Sequence, residues 1–204
     1  MNYRTLGKTN YNVSDIGFGA WAIGGDAWGK QDDNDSLKAL HAAIDAGVNF
    51  IDTAQGYGDG HSEEIIGKVL RDRSEDIKVA TKTPPGPGAW PPSPYDSWES
   101  RYSEEYLRSN IEDRLRKLGV DCIDLLQLHS WTRAWNRDPQ PFHILQKLKE
   151  EGKIAAIGIS TPEQDQNSVI DLMRSGLVDT VQVIYNIFEQ EPAAELLPVA
   201  LEHN

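Results

Sequence analysis

Short apolar runs alternate with longer amphipathic stretches along this chain. Six runs have strand character: VSDIGFG (Val13–Gly19), VNFID (Val48–Asp52), IKVATK (Ile77–Lys82), CIDLLQLH (Cys122–His129), IAAIGIS (Ile154–Ser160) and TVQVIYN (Thr180–Asn186). Most are near-continuously apolar, the pattern of parallel strands covered on both faces. Between them, apolar residues recur at helical spacing. Leu37, Leu40 and Ile44 share one face, and Gly47 can end that helix. Ile65, Ile66, Val69 and Leu70 mark a second, with Ser62 as its expected N-cap. A third carries Leu107, Ile111, Leu115 and Leu118. It opens on Glu104 and Glu105, closes on Arg116 and Lys117 and stops at Gly119, a charge order that suits the helix dipole. Phe142, Leu145 and Leu148 mark a fourth before Gly152; Val169, Leu172 and Met173 mark a fifth before Gly176. Strand–helix alternation of this kind implies an α/β fold with a parallel sheet. A single domain over residues 1–204 is expected.

Composition narrows the function classes. With 39% hydrophobic and 25% charged residues, the chain can bury a sizeable core. A net charge of -12 argues against a general nucleic-acid or anionic-membrane binder, though it leaves room for a local phosphate pocket. No run approaches membrane-spanning length, and the opening MNYRTLGKTN has no signal-like apolar stretch. The lone cysteine, Cys122, excludes an internal disulfide, fits a reducing compartment and reads as a small core residue. A cytoplasmic protein is expected. The stretch from Pro84 to Tyr102 is rich in Pro, Gly and Ser yet carries Trp90, Tyr95 and Trp98, so it reads as a pocket-lining loop more than a linker.

The polar residues concentrate where the strands stop. Asp52, Lys82, His129 and Ser160 end successive runs, and Gln182 with Asn186 ends the last. The C-terminal strand ends of a parallel α/β fold share one face, where active sites are built. Each residue alone has a plain structural explanation: Asp52 a cap, Lys82 a solvated end, His129 a satisfied structural histidine, Tyr57 a rim aromatic. Together they make a coherent proton-donor set. A phenol is a weak acid near neutral pH, and a nearby Lys82 ammonium would lower the Tyr57 pKa. Asp52 would hold the ammonium charged, and His129 would orient a carbonyl oxygen for protonation. Gly19, Ala20 and Trp21 are expected to bring backbone and an aromatic wall close to cofactor or substrate.

Two other enzyme readings are weaker. GFGAWA, Gly17 to Ala22, matches G-x-G-x-x-A, but no helix begins at its glycines as a pyrophosphate site requires. Of His41, His61, His129, His143 and His203, only His129 lies at a strand end, and no metal-binding spacing occurs; no metal site is expected. Trp21, Trp28, Trp90, Trp131 and Trp135 are candidates for an aromatic-lined pocket, and read equally well as packing residues.

The segment NFIDTAQGYGDGHSEEIIG, with an Asp and a Tyr five apart, resembles the strand-and-loop motif of the aldo-keto reductases. VATK and CIDLLQLH resemble the family strands that end in the catalytic Lys and His, and YRTLGKTNYNVSDIGFGAW is similar to its N-terminal hairpin and first strand. The resemblance runs over nearly the whole chain. It implies a TIM-type (β/α)8 barrel, represented here by about six of the eight strand–helix units. It implies reduction of an aldehyde or ketone by NADPH, with Asp52, Tyr57, Lys82 and His129 as the catalytic tetrad. Ser160 and Gln182 would hold the nicotinamide carboxamide, with Gly19, Ala20, Trp21 and Asp52 also on the cofactor side. Thr161 stands where the family often has Asn. The family's seventh and eighth units, which supply a stacking aromatic and the phosphate grip, have no counterpart here. The alternative is a non-catalytic binding or regulatory protein on an incomplete scaffold. Open barrel edges would favour a homo-oligomer.

Overall fold

The computed structural model describes residues 1–26 and 29–204; Trp28, one of the candidate pocket residues, lies outside them. An antiparallel hairpin of β1 (Tyr3–Thr5) and β2 (Asn12–Ser14) comes first. Six parallel strands follow: β3 (Phe18–Gly19), β4 (Phe50–Asp52), β5 (Lys78–Thr83), β6 (Ile123–Leu128), β7 (Ile154–Ser160) and β8 (Thr180–Gln182). They are hydrogen-bonded in sequence order, so the sheet curls into a half-barrel with β3 and β8 as its two outer edges. The main helices are α1 (Asp33–Asp45), α2 (His61–Asp72), α4 (Glu104–Leu118) and α5 (Gln140–Glu150), with shorter α3 (Trp98–Tyr102), α6 (Ile170–Ser175) and α7 (Leu196–His203). Among the described residues no helix is long and apolar enough to cross a membrane.

Four sequence expectations need correction. Val13–Gly19 is two strands, because the Ser14 hydroxyl donates to the Ile16 carbonyl (2.8 Å) and turns the chain between β2 and β3. The last run leaves the sheet after Gln182; the Ile184 N–H instead donates to the Gln166 side chain (2.7 Å). Helix α2 is preceded by Gly60 at φ 87°, while Ser62 lies inside it and donates to the Ala20 carbonyl (3.0 Å). Cys122 is exposed, since it precedes β6 and never enters the sheet.

The strands alternate more strictly than their apolar character suggests. Ile51, Val79, Leu126, Leu128, Ile157 and Ile159 join the large core beneath the helices. Their neighbours in sequence face the barrel interior, as the period of two requires. There, Ala80, Leu125 and Ala156 form a small second cluster with Phe50 and with Leu6 and Tyr11 around the hairpin. The hairpin therefore closes one end of the barrel. The Tyr11 hydroxyl reaches across to donate to the Asp124 carbonyl (3.1 Å). Polar interior residues are left for the other end.

Between sheet and helices lies one fully buried ion pair. Glu63 of α2 and Arg114 of α4 have no exposed side-chain surface, and their closest N and O atoms are 2.6 Å apart. The Thr81 hydroxyl of β5 donates to the other Glu63 oxygen (2.5 Å). Burial lifts the Glu63 carboxyl to about 7 against the pull of Arg114 and Thr81. The pair ties α2 to α4, and removing Arg114 leaves the Glu63 carboxyl buried without its cation. Arg114→Leu is expected to cost about 3–5 kcal/mol in urea unfolding, and Glu63→Leu/Arg114→Leu together far less. Equal losses in the single and double variants would contradict this account of the pair.

Candidate active site

The polar end of the barrel centres on one lysine. Lys82, near the end of β5, is 1% exposed. Its Nζ donates to both Asp52 oxygens (2.7 and 2.8 Å), to the Thr53 carbonyl (2.9 Å) and to the Tyr57 phenol oxygen (3.3 Å). The β4–β5 register aligns Asp52 with Ala80, so Lys82 lies one interior position further along and reaches back over the end of β4. An ammonium group has only donors to offer. Because it donates to the Tyr57 oxygen, the phenolic hydrogen is left for another acceptor.

The loop bearing Tyr57 is clamped from two sides. Gly24 and Gly58 touch backbone to backbone: a Cβ on Gly24 would sit 2.5 Å from the Tyr57 carbonyl carbon, and one on Gly58 2.4 Å from the Gly24 oxygen. The Gly58 N–H donates to Asp26 (3.2 Å). On the other side, the Thr83 hydroxyl donates to Asn110 of α4 (2.8 Å), and the Asn110 amide donates to Gln55 (2.5 Å). Trp21 stacks on the Tyr57 ring with centroids 6.0 Å apart.

His129 follows β6 directly, and its backbone N–H donates to the Thr83 carbonyl (2.9 Å). Its ring meets Tyr57 edge-on at 6.1 Å and Trp90 edge-on at 5.1 Å. Its buried Nδ1 has no hydrogen-bond partner among the described residues. A cavity of ≈ 380 Å³ opens here, bordered by Trp90, His129, Ser160, Thr161 and Gln182. A second, of ≈ 710 Å³, runs along the β3 side past Gly19, Phe50 and Asp52, and Gln182 borders both.

The environment sets the protonation states. Burial first, and the Asp52 carboxylate second, raise the Tyr57 phenol to about 12. This reverses the expectation that Lys82 lowers it: desolvation outweighs the ammonium, whose charge is already matched by Asp52. The phenol therefore stays protonated at neutral pH. Burial also pushes the Lys82 ammonium below its ordinary range, with Asp52 resisting. Burial and then Lys82 hold His129 down to about 3, so its imidazole is neutral.

Asp52, Tyr57, Lys82 and His129 are thus brought together, with Ser160 and Gln182 as register partners on β7 and β8 beside them. Gly19 and Trp21 border the site. Ala20 does not offer it a contact: its side chain is fully buried, its N–H donates to Asp52 O (2.8 Å), and its carbonyl accepts from Ser62. Trp131 and Trp135 are core residues packed against each other, Phe142 and Tyr102, because they point beneath the loop rather than over the barrel mouth. Tyr95 is 96% exposed and Trp98 donates to Asp138, so Trp90 alone of the three loop aromatics lines the cavity. Sequence reasoning missed Gln127, whose amide donates to Gln182 (3.0 Å) across β7. Gly158 allows the crossing, since a Cβ there would lie 2.9 Å from Gln127 Cγ. Counting back two residues from His129 would have found it. Among the described residues no cluster of three His, Cys, Asp or Glu is placed to hold a metal ion.

Comparison with known proteins gives a consistent result. A family model described as "Aldo/keto reductase family" matches residues 15–204. The chain is 34% identical to the aldo-keto reductase YhdN of Bacillus subtilis, covering 100% of this chain and 59% of that protein. The holo form of aldo-keto reductase AKR11C1 from Bacillus halodurans superposes with a TM-score of 0.81 at 29% identity, over 100% of this chain and 63% of that one. An aldo-keto reductase from Klebsiella pneumoniae in complex with NADPH gives 0.77 at 26% identity, over 100% of this chain and 66% of that one. The chain thus spans about three fifths of the length of the first two.

The low His129 pKa has a measurable sign. Unfolded histidine takes a proton near 6.5, whereas His129 in the fold takes one only near 3. Its contribution to stability is therefore present above 6.5 and is lost as pH falls through the window towards 3. His129 ring proton resonances are expected to stay constant from about pH 8 to about pH 5. A titration midpoint inside that range would show that the imidazole is less desolvated than the packing implies.

Proposed function

Because the chain belongs to the aldo/keto reductase family, we propose that it is an oxidoreductase converting an aldehyde or ketone to an alcohol, with NADPH as reductant and Tyr57 as proton donor. The observation that carries this reading is the Lys82 ammonium donating at once to Asp52 and to the Tyr57 phenol. The NADPH complex of the Klebsiella pneumoniae relative supports the cofactor.

The residues present fit a nicotinamide. The Ser160 hydroxyl and Gln182 amide end adjacent strands beside His129, a donor–acceptor pair of the kind a carboxamide takes. Gln182 accepts from Gln127 through its carbonyl oxygen, which leaves its NH2 to donate. A reduced nicotinamide held there supplies hydride to a carbonyl carbon. The chain's own residues do the rest. Neutral His129 donates a hydrogen bond to the carbonyl oxygen and orients it. Tyr57 gives its proton to that oxygen as negative charge develops. Lys82 stabilises the phenolate left behind, and Asp52 keeps the ammonium charged. The reading is of a cytoplasmic enzyme for small carbonyl compounds, with the outer edges of β3 and β8 favouring self-association.

Tyr57→Phe is expected to lower kcat by about 10²–10⁴ while leaving the Kd for NADPH nearly unchanged. Near-normal kcat, with chemistry shown to limit the rate, would remove Tyr57 from the mechanism. NADPH binding without turnover of any aldehyde or ketone would favour a binding role over an enzymatic one. Size-exclusion chromatography of the 204-residue chain is expected to show species larger than the monomer, and a monomer at all concentrations would count against pairing through the edges.

A further inference from the structure

Gln182 ends β8, an outer strand of the sheet, and it is exposed. A glutamine side chain in that position turns freely about several bonds, and fixing it on a ligand costs rotamer entropy. The fold fixes this one in advance. Its backbone carbonyl accepts from the Thr161 N–H (3.0 Å) and from the Thr161 hydroxyl (3.3 Å). Just beyond it, the Ile184 N–H is held by Gln166, which is 1% exposed. Its side-chain oxygen accepts from the Gln127 amide (3.0 Å).

Gln127 is placed for that one contact. It is 2% exposed, in the middle of the barrel interior, and pairs in register with Lys82 on one side and Gly158 on the other. Neither neighbour competes for its amide. Lys82 directs its N–H groups to Asp52, Thr53 and Tyr57, and Gly158 has no side chain. Gly158 pairs with Thr180, two residues before Gln182, so the Gln127 side chain runs diagonally over the glycine to reach its partner. A Cβ on Gly158 would lie 2.6 Å from Thr180 Oγ1 and 2.9 Å from Gln127 Cγ. The Thr161 hydroxyl is directed at the Gln182 carbonyl and at Gln166, which leaves the Gln182 side chain as the group on this strand end that can turn to a ligand.

We propose that Gln127 is a positioning residue for the cofactor: it holds the Gln182 amide with its NH2 turned to the nicotinamide carboxamide, so that the ring angle is set before the cofactor arrives. The proposal rests on the reading of Ser160 and Gln182 as the carboxamide site and adds the residue that aims it. An amide locked by a buried partner binds without losing that freedom a second time, and it holds the ring in one orientation beside Tyr57 and His129.

The test is a double-variant cycle on NADPH affinity, read from the quenching of tryptophan fluorescence. The four proteins are the native chain, Gln127→Met, Gln182→Met and the double variant. Methionine keeps the length of glutamine and offers no donor. Gln182→Met is expected to raise the Kd for NADPH about tenfold, and Gln127→Met about three- to tenfold. Because Gln127 acts through Gln182, adding Gln127→Met to Gln182→Met should change Kd by less than about twofold. A general loosening of the barrel would instead multiply the loss in both backgrounds. A native Kd in Gln127→Met, or its full loss repeated in the Gln182→Met background, would overturn the positioning role while leaving the carboxamide site in place. An unchanged Kd in Gln182→Met, or no binding of NADPH by the native protein, would remove the carboxamide reading and the proposal with it. Should Gln127→Met fail to fold, the native protein with NADP bound gives a second readout by NMR. The Gln127 side-chain amide protons are expected to exchange with water more slowly than those of the exposed Gln31. Equal exchange rates would show that the contact is not held and would overturn the proposal.

Discussion

An ammonium group buried inside a barrel is the constraint on which this structure turns. Lys82 has almost no access to water, and an unpaired charge there would be strongly destabilising. The fold answers with a carboxylate, a backbone carbonyl and a phenol, all within hydrogen-bonding reach. That set is available only if β4 and β5 keep their register, since a slip of one residue would turn Asp52 or Lys82 to the helix side. Strand pairing and site chemistry are therefore one requirement. The same burial that makes Lys82 depend on Asp52 keeps the Tyr57 phenol protonated and His129 neutral.

The interior of the barrel is divided along its axis. At one end the hairpin and small side chains fill the space; at the other, polar residues replace them on the same strands. The division follows from period-two alternation, which sends every second residue inward whatever its chemistry. Gln127, Gly158 and Gln182 show the cost of that rule: one position is a glycine so that two amides on non-adjacent strands can meet.

Around this mouth the loops are tied by specific polar contacts rather than by regular structure. Gly24 against Gly58 locks the Tyr57 loop, Asn110 braces it from α4, and Arg101 gathers the Pro-rich stretch under Trp90. Two of these ties join residues far apart in sequence, Gly24 to Gly58 and Gln55 to Asn110, while the Arg101 tie is made within the stretch that carries Trp90.

The sequence by itself determined the strand–helix alternation and most helix ends, and it singled out Asp52, Tyr57, Lys82 and His129 as a candidate set. Those signals are local: periodicity, a glycine after an apolar face, a polar residue at the stop of an apolar run. The resemblance to a family added the kind of barrel. The tertiary structure decided what depends on neighbours distant along the chain. It turned the Tyr57 pKa upward, because desolvation is a property of the closed site and not of the Lys–Tyr pair. It separated Trp90, which faces the cavity, from Trp131 and Trp135, which have the same chemistry but lie in the core. It engaged both backbone polar groups of Ala20 and left Cys122 exposed although it borders an apolar run. Burial and partner choice are set by packing across the chain, and no local pattern encodes them.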